Sequence, residues 1–336
     1  MLPLRLEDDT MTRRTIGLLV TLTLGCLVGP LAADPPPTAT LRRIGLLTVG
    51  ASASLRDALQ QSLRDLGYVD GENLVVEARD AGGKAERLPD LAAELVRREV
   101  EVIVATGYAA VSAAQQATRT LPIVMLIGGD PIGSGLLPSL TRPGGNLTGL
   151  AGLSSKLSVK RLAWLKAVLP TASHVAVLFN PVDASKALDF TQLQAASRML
   201  GVRLLPLEVQ DPTAIERAFA TMRQERVEAL ITVGEIFTLQ HRTQIVALAA
   251  QHRLPAIYDL KAFVVAGGLM AYGSRFEERI RRVAGYVDQI LHGAKPADLP
   301  VEQPTAFELV INLQTAQTLG LTMPPWLLVE ADEVIR

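Results

Sequence analysis

Cysteine is almost missing from this chain, with one in 336 residues. An intramolecular disulfide is therefore excluded, as is a Cys-rich zinc or iron–sulfur site. Aromatic residues are scarce at 4%, so the core must be built from Leu, Val, Ile and Ala. Net charge is nearly absent too. The balance of 33 Lys+Arg against 34 Asp+Glu leaves −1, without the basic excess of a nucleic-acid binder. Catalytic signatures are also lacking. His174, His241, His252 and His292 stand in no metal-binding spacing and read as surface histidines. There is no G-x-x-x-x-G-K-S/T, no G-x-G-x-x-G after the first strand and no G-x-S-x-G. Neither a metal nor a cofactor is expected. What is present is 49% apolar against 20% charged residues, which excludes a disordered chain. The length suits about two domains.

The first forty residues differ from the rest. Arg13 and Arg14 precede an apolar run from Ile16 to Val28, followed by Pro30, Ala32 and Ala33 and then Pro35, Pro36 and Pro37. A basic start, a short apolar stretch and a small-residue end are the parts of an export signal. The run is shorter than the ~20 residues of a membrane span. Acidic Glu7, Asp8 and Asp9 do not suit such a start, so Met11 is an alternative first residue, with 1–10 an extension. The expected division is 1–33 signal and 34–41 linker. Arg13-Arg14 partly resembles a twin-arginine signal. Cys26 ends a partial lipobox, which would anchor the protein through a lipid. Otherwise Cys26 leaves with the signal, and the mature protein holds no thiol, as suits an oxidising compartment.

Beyond the linker, strand-like and helix-like segments alternate. Apolar runs at 43–49, 74–78, 102–106 and 123–127 read as buried strands. Between them Leu55, Leu59, Leu63 and Leu66 recur at helical spacing, as do Leu88, Leu91, Ala92 and Leu95. Ser54 is the expected cap of the first helix. The order then runs again, with strands at 174–179, 203–207, 229–233 and 256–258. Arg43-Ile44-Gly45-Leu46 pairs with His174-Val175-Ala176-Val177, Leu66-Gly67 with Leu200-Gly201, and Leu121-Pro122 with Leu254-Pro255. Near-constant spacing across these pairs predicts two lobes of one α/β architecture, each a Rossmann-like parallel sheet with helices on both faces. A leftover strand, helix and strand at the C-terminus predict crossing between lobes. The expected lobes are 42–149 plus 268–295, and 150–267 plus 296–336.

Ligands of open α/β sheets bind outside the carboxyl ends of the strands. The residues expected there are Ser52 and Ser54 after the first strand, Thr106, Gly107 and Tyr108 after the third, and Gly129 and Asp130 after the fourth. The second lobe adds Asn180, Glu235 and Tyr258. Asp130, Glu235 or Asp259 would hold an ammonium group. Tyr108, Phe237, Tyr258 and Tyr272 would pack an apolar moiety.

Several ordered motifs resemble one family. They are Gly128-Gly129-Asp130-Pro131-Ile132-Gly133-Ser134-Gly135-Leu136, Arg142-Pro143-Gly144-Gly145-Asn146-Leu147-Thr148-Gly149 and Leu66-Gly67-Tyr68-Val69-Asp70-Gly71-Glu72-Asn73. With them go Phe179-Asn180-Pro181, Gly267-Gly268-Leu269-Met270-Ala271-Tyr272-Gly273 and Lys295-Pro296-Ala297-Asp298-Leu299-Pro300. Together they are similar to a group of ABC transporter substrate-binding proteins that includes tryptophan- and tyrosine-type members. The resemblance implies a type I periplasmic-binding fold with a three-crossover hinge. It implies an exported, periplasmic monomer that closes on an amino-acid-like small molecule and delivers it to a membrane permease served by an ATPase. No catalysis is implied. The residues alone leave open a ligand-sensing module for a signalling partner, or an α/β enzyme.

Overall fold

The computed structural model describes residues 41–50, 52–181, 185–234 and 236–336. The export segment, Cys26 and Glu235 lie outside them. The first lobe holds β1 (Arg42–Thr48), α1 (Ser52–Arg64), β2 (Leu74–Asp80), α2 (Leu88–Arg97), β3 (Val102–Thr106), α3 (Tyr108–Ala117), β4 (Ile123–Leu126) and β5 (Leu147–Leu150). Its strands form one parallel sheet in the order β2-β1-β3-β4-β5. Successive strand side chains point to opposite faces. Ile44, Leu46, Val102 and Val104 meet Leu55, Leu59 and Leu63 of α1. Leu47, Ile103 and Ala105 face α2 and α3 on the other side. Helix α1 begins two residues before the expected cap at Ser54.

The second lobe runs α4 (Ser154–Val168), β6 (His174–Phe179), α5 (Ser185–Met199), β7 (Arg203–Glu208), α6 (Pro212–Gln224), β8 (Ala229–Thr232), α7 (Ile236–Gln240), α8 (Arg242–Gln251), β9 (Ala256–Tyr258), α9 (Lys261–Val265) and β10 (Met270–Ser274). The chain then forms α10 (Phe276–Leu291), β11 (Phe307–Asn312), α11 (Leu313–Leu319), α12 (Pro325–Glu330) and β12 (Glu333–Ile335). The second sheet has the order β12-β11-β10-β9-β8-β6-β7, parallel except between β10 and β11. The two passes therefore share strand order. Helix α6 illustrates how the ends are set: Asp211 accepts from Ala214 N at 2.7 Å, and Pro212 follows at the first helical position. His174 is buried rather than exposed, its Nδ1 3.0 Å from Glu225 O.

The C-terminal crossings differ from the expected division. Strand β10 pairs with β9 through Met270↔Ile257, so 268–274 continues the second sheet. A short helix after β9 leads naturally to another parallel strand, the ordinary right-handed crossover. Helix α10 then returns to the first lobe, where Ile280, Val283 and Val287 join the β1 and β3 core. Residues 296–302 also stay there, because Val301 N donates to Leu140 O at 2.7 Å and Thr148 Oγ1 to Leu299 O at 2.8 Å. Three straps thus join the lobes: β5 to α4, β10 to α10, and Glu302 to β11. The first and third are stitched, since Ala151 N donates to Glu302 O at 2.9 Å and Glu302 N to Gly149 O at 3.0 Å.

Gly149 carries this junction at φ +125°, and a Cβ there would overlap the Met125 carbonyl of β4. Gly149→Ala should lower stability by about 2 kcal/mol. Urea unfolding measures this, and an unchanged midpoint would contradict the tight β4–β5 approach.

Candidate functional site

Where the strands of both sheets end, one cavity of about 170 Å³ lies between the lobes. The first lobe contributes the turn after β1 with Gly50 and Ser54, the turn after β3 with Thr106, Gly107 and Tyr108, and Gly128 after β4. The second lobe contributes Asn180, Gly234, Asp259 and the inner face of α4. Ser274 and Arg279 enter from the second strap. Gln240 of α7 abuts Gly50 across the opening, so the lobes touch there.

Helix α3 starts at this cavity without a side-chain cap, its N-cap being Gly107. Its first amide hydrogens are therefore available to an anion. Thr106 Oγ1 is buried beside them with no hydrogen-bond partner. Tyr108 Oη is held away by donating to Ser134 O at 3.1 Å.

Opposite stand charged side chains, two buried and one half-buried. Arg161 of α4 is 2% exposed, with Nε donating to Tyr272 O at 2.8 Å and Nη1 to Ser158 Oγ at 3.2 Å. Burial lowers its pKa, and Asp259 opposes that shift. Arg279 of α10 donates from Nη2 to Ile127 O at 2.8 Å, while its Nε is buried without a partner. Burial pushes its pKa down to about 10. Asp259 is 9% exposed and its Oδ1 has no partner. Burial raises its pKa, with Arg161, its own backbone amide and then Lys186 pulling the other way. Among the described residues no carboxylate pairs with either arginine, and no cation pairs with Asp259. Lys186, by contrast, meets Asp189 Oδ2 at 3.2 Å, and Ser154 Oγ donates to the same oxygen at 2.6 Å. Position 234 is glycine for a steric reason: a Cβ there would collide with the Asp259 carboxylate.

The expected residues divide clearly. Ser54, Thr106, Gly107, Tyr108 and Asn180 line this cavity. Ser52 opens α1, and Glu235 lies outside the described residues. Gly129 and Asp130 stand just beyond the lining, where Gly128 takes their place. Asp130 is exposed and uses Oδ1 to accept from Ile132 N at 2.9 Å, closing its own turn. Tyr258 is 1% exposed and stacked on Phe263 at 4.7 Å, in the core behind the sheet. Its neighbour Asp259 faces the cavity instead. Tyr272 and Phe237 also lie outside the lining, against Trp164 and His241. Arg161 and Arg279 escaped the reading of strand ends because both come from helices. Their signal is an arginine inside an apolar stripe: Leu157, Arg161, Leu165 in α4, and Phe276, Arg279, Ile280, Val283 in α10.

Known proteins give a consistent comparison. The family model described as ABC transporter substrate binding protein matches residues 47–335. A tyrosine-binding protein of Clostridioides difficile (strain R20291) is 23% identical over 262 residues, 78% of this chain and 75% of that protein. A conserved domain protein from Vibrio cholerae superposes with a TM-score of 0.82 at 24% identity, covering 88% of this chain and 100% of that one. An ABC domain from Streptococcus pneumoniae in complex with L-Trp superposes at 0.78 and 25% identity, covering 87% and 100%.

Asp259 should cost the empty protein stability while it is ionised. Its folded pKa lies above the ordinary 3.8, so the folded state binds more protons than the unfolded state between those two values. Stability contributed by this group therefore falls as pH rises through that window. At neutral pH, Asp259→Asn should raise the ligand-free thermal midpoint by about 2 °C. The gap should close as pH is lowered towards 3.8. A variant less stable than the parent at pH 7 would reverse the assigned sign.

Proposed function

Because the chain belongs to the ABC transporter substrate-binding protein family, whose members bind solutes and are not enzymes, we propose that it captures an amino acid between its lobes and hands it to a membrane permease. The supporting observation is one cavity that holds unpaired buried charge of both signs. A zwitterion complements it. The carboxylate would lie at the uncapped start of α3, by Thr106 and within the field of Arg161 and Arg279. The ammonium group would take Asp259. The start of α3 and Thr106 belong to the first lobe, and Arg161 and Asp259 to the second, so the ligand bridges them and favours closure. The relatives that bind tyrosine and L-Trp accord with this class. Exported placement rests on the signal-like 1–33. Among the described residues no helix is long and apolar enough to cross a membrane. Working as a monomer is the simplest form, since both halves of the cavity come from one chain.

A calorimetric panel of L-amino acids tests the reading. At least one should bind, and saturating ligand should reduce the radius of gyration seen by small-angle scattering. Asp259→Asn should weaken that binding roughly 100-fold, the scale for removing one partner of a buried charge pair. Affinity should also fall with pH as Asp259 protonates, because only the carboxylate attracts ammonium. Silence across the whole panel would refute an amino-acid ligand.

Export has its own check. Intact-mass analysis of the secreted material should find a chain beginning near Asp34 with no thiol. A lipid-sized mass increment on Cys26 would instead establish the anchored form, and retention of 1–33 unprocessed would refute the signal.

A further inference from the structure

We propose that Gly50 and Gly128 are points of the first lobe on which the second lobe seats when the cleft shuts, and that Gly50 is bare in order to receive the Gln240 side chain. This rests on the capture reading above and assigns the residues that limit its closure.

Neither glycine is required by its own backbone, since neither has a left-handed φ. A glycine that the local conformation does not need only adds entropy to the unfolded chain, so the cause lies in what surrounds it. At Gly50, which follows β1, the three atoms nearest a Cβ all belong to the side-chain amide of Gln240, and that amide would overlap it. Gln240 ends α7 in the second lobe. At Gly128, which follows β4, a Cβ would meet Lys186 Nζ at 3.8 Å and Gly234 O at 3.9 Å, again from the second lobe. A longer side chain has no room to extend there. Crowded glycines elsewhere meet their own lobe instead: Gly45 faces Leu95, and Gly273 faces the Asp259 carbonyl.

The two seats flank the cavity and differ in stiffness. Gly50, Gly128 and Gly234 are part of the cavity's lining. The Gly128 seat is met by a backbone carbonyl and by a lysine that is 1% exposed and held by Asp189 Oδ2 at 3.2 Å. It is a rigid stop. The Gly50 seat is met by the end of a flexible side chain, which fills the place of the missing Cβ and leaves Gly50 buried. A bulky side chain at either seat would hold the lobes apart before groups of both lobes reach one ligand. Apparent affinity then falls in proportion to the closed fraction.

Two arms test this on the full exported chain. In the first, Gly50→Cys/Gln240→Cys is treated with a short bis-maleimide, and mass analysis should find one reagent joining both thiols within one chain. Either single cysteine alone should carry only half-reacted reagent. No joined product, with or without added L-amino acids, overturns the Gly50 seat. In the second arm, calorimetry measures binding of L-tryptophan, L-tyrosine and the remaining L-amino acids. Gly50→Leu should weaken the tightest of them by roughly 10-fold or more, and small-angle scattering should show no compaction at saturation. Adding Gln240→Ala should restore affinity to within about 3-fold of the parent, because the leucine takes the space that the glutamine leaves. Gly128→Leu should weaken binding as well and gain nothing from Gln240→Ala. Undiminished affinity in either leucine variant, or any other pattern of rescue, overturns this inference; a Gly50→Leu loss that Gln240→Ala does not rescue would mean a side chain obstructing the ligand directly. A parent silent to every amino acid overturns the amino-acid reading alone, because the first arm needs no ligand. The first arm also decides where a leucine variant does not fold.

Discussion

Taking a charge out of water without a counter-charge costs several kcal/mol even after local relaxation. Asp259 and Arg161 are buried around one cavity without a direct ion pair among the described residues, and Arg279 is half-buried beside them. Arg161 is held by a backbone carbonyl and a serine hydroxyl, and Arg279 by another carbonyl. These contacts orient the guanidinium groups without neutralising them. Asp259 keeps one carboxylate oxygen with no partner at all. Nearby, Lys186, Asp189 and Ser154 satisfy one another. That contrast separates a closed structural ion pair from charged groups that face the cavity with no direct counter-ion among the described residues.

Such a constraint explains why the protein needs two lobes joined by straps. With the cleft open, water solvates the charges; with it closed and empty, nothing does. In the proposed function, a ligand bearing both signs would restore the balance only when both lobes reach it. The closed state then gains by the ligand's differential affinity and not by tightness alone. Moving the population from 1:99 to 99:1 takes roughly 10⁴-fold preference for the closed form. Buried, desolvated charge pairs are among the few contacts that differ enough between the two states. The straps must bend without coming apart, and the bridge between Leu150 and Glu302 ties two of them together. Glu302 also pairs with Arg282 of α10, which belongs to the helix leaving the second strap. One glutamate therefore links all three.

Much of this was legible in the residues. Apolar runs of three to seven placed β1 to β4 and β6 to β9, because strands buried on both faces need continuous Val, Ile and Leu. Strand β5 was not foreseen: Leu147, Thr148, Gly149 and Leu150 include a polar residue and a glycine, and pairing with β4 makes the strand. Strand β12, with half-buried Glu333, Val334 and Ile335, has the same origin. Helix α4 hides its periodicity because Ser158 and Arg161 occupy inward positions for the sake of the cavity. The placement of β10 in the second sheet concerns long-range pairing, which no local pattern encodes.

The cleft obeys a stricter rule than the strands. Along β9, Ala256 and Tyr258 point into one core and Ile257 into the other. Period-two alternation thus commits Tyr258 to the interior as soon as Ile257 is committed to the opposite face. The next residue is the first beyond the strand, and it is Asp259. Reading the last strand residue as the ligand contact puts the chemistry one position too early. The same displacement applies after β4, in the opposite direction: the residue lining the cavity is Gly128, and Asp130 is consumed by its own turn. What lines such a cleft is set by where each strand's pairing stops. Strand ends depend on the neighbouring strand's length as much as on the residues themselves. For that reason the loops were identifiable from the sequence while the choice of residue within each loop required the sheets.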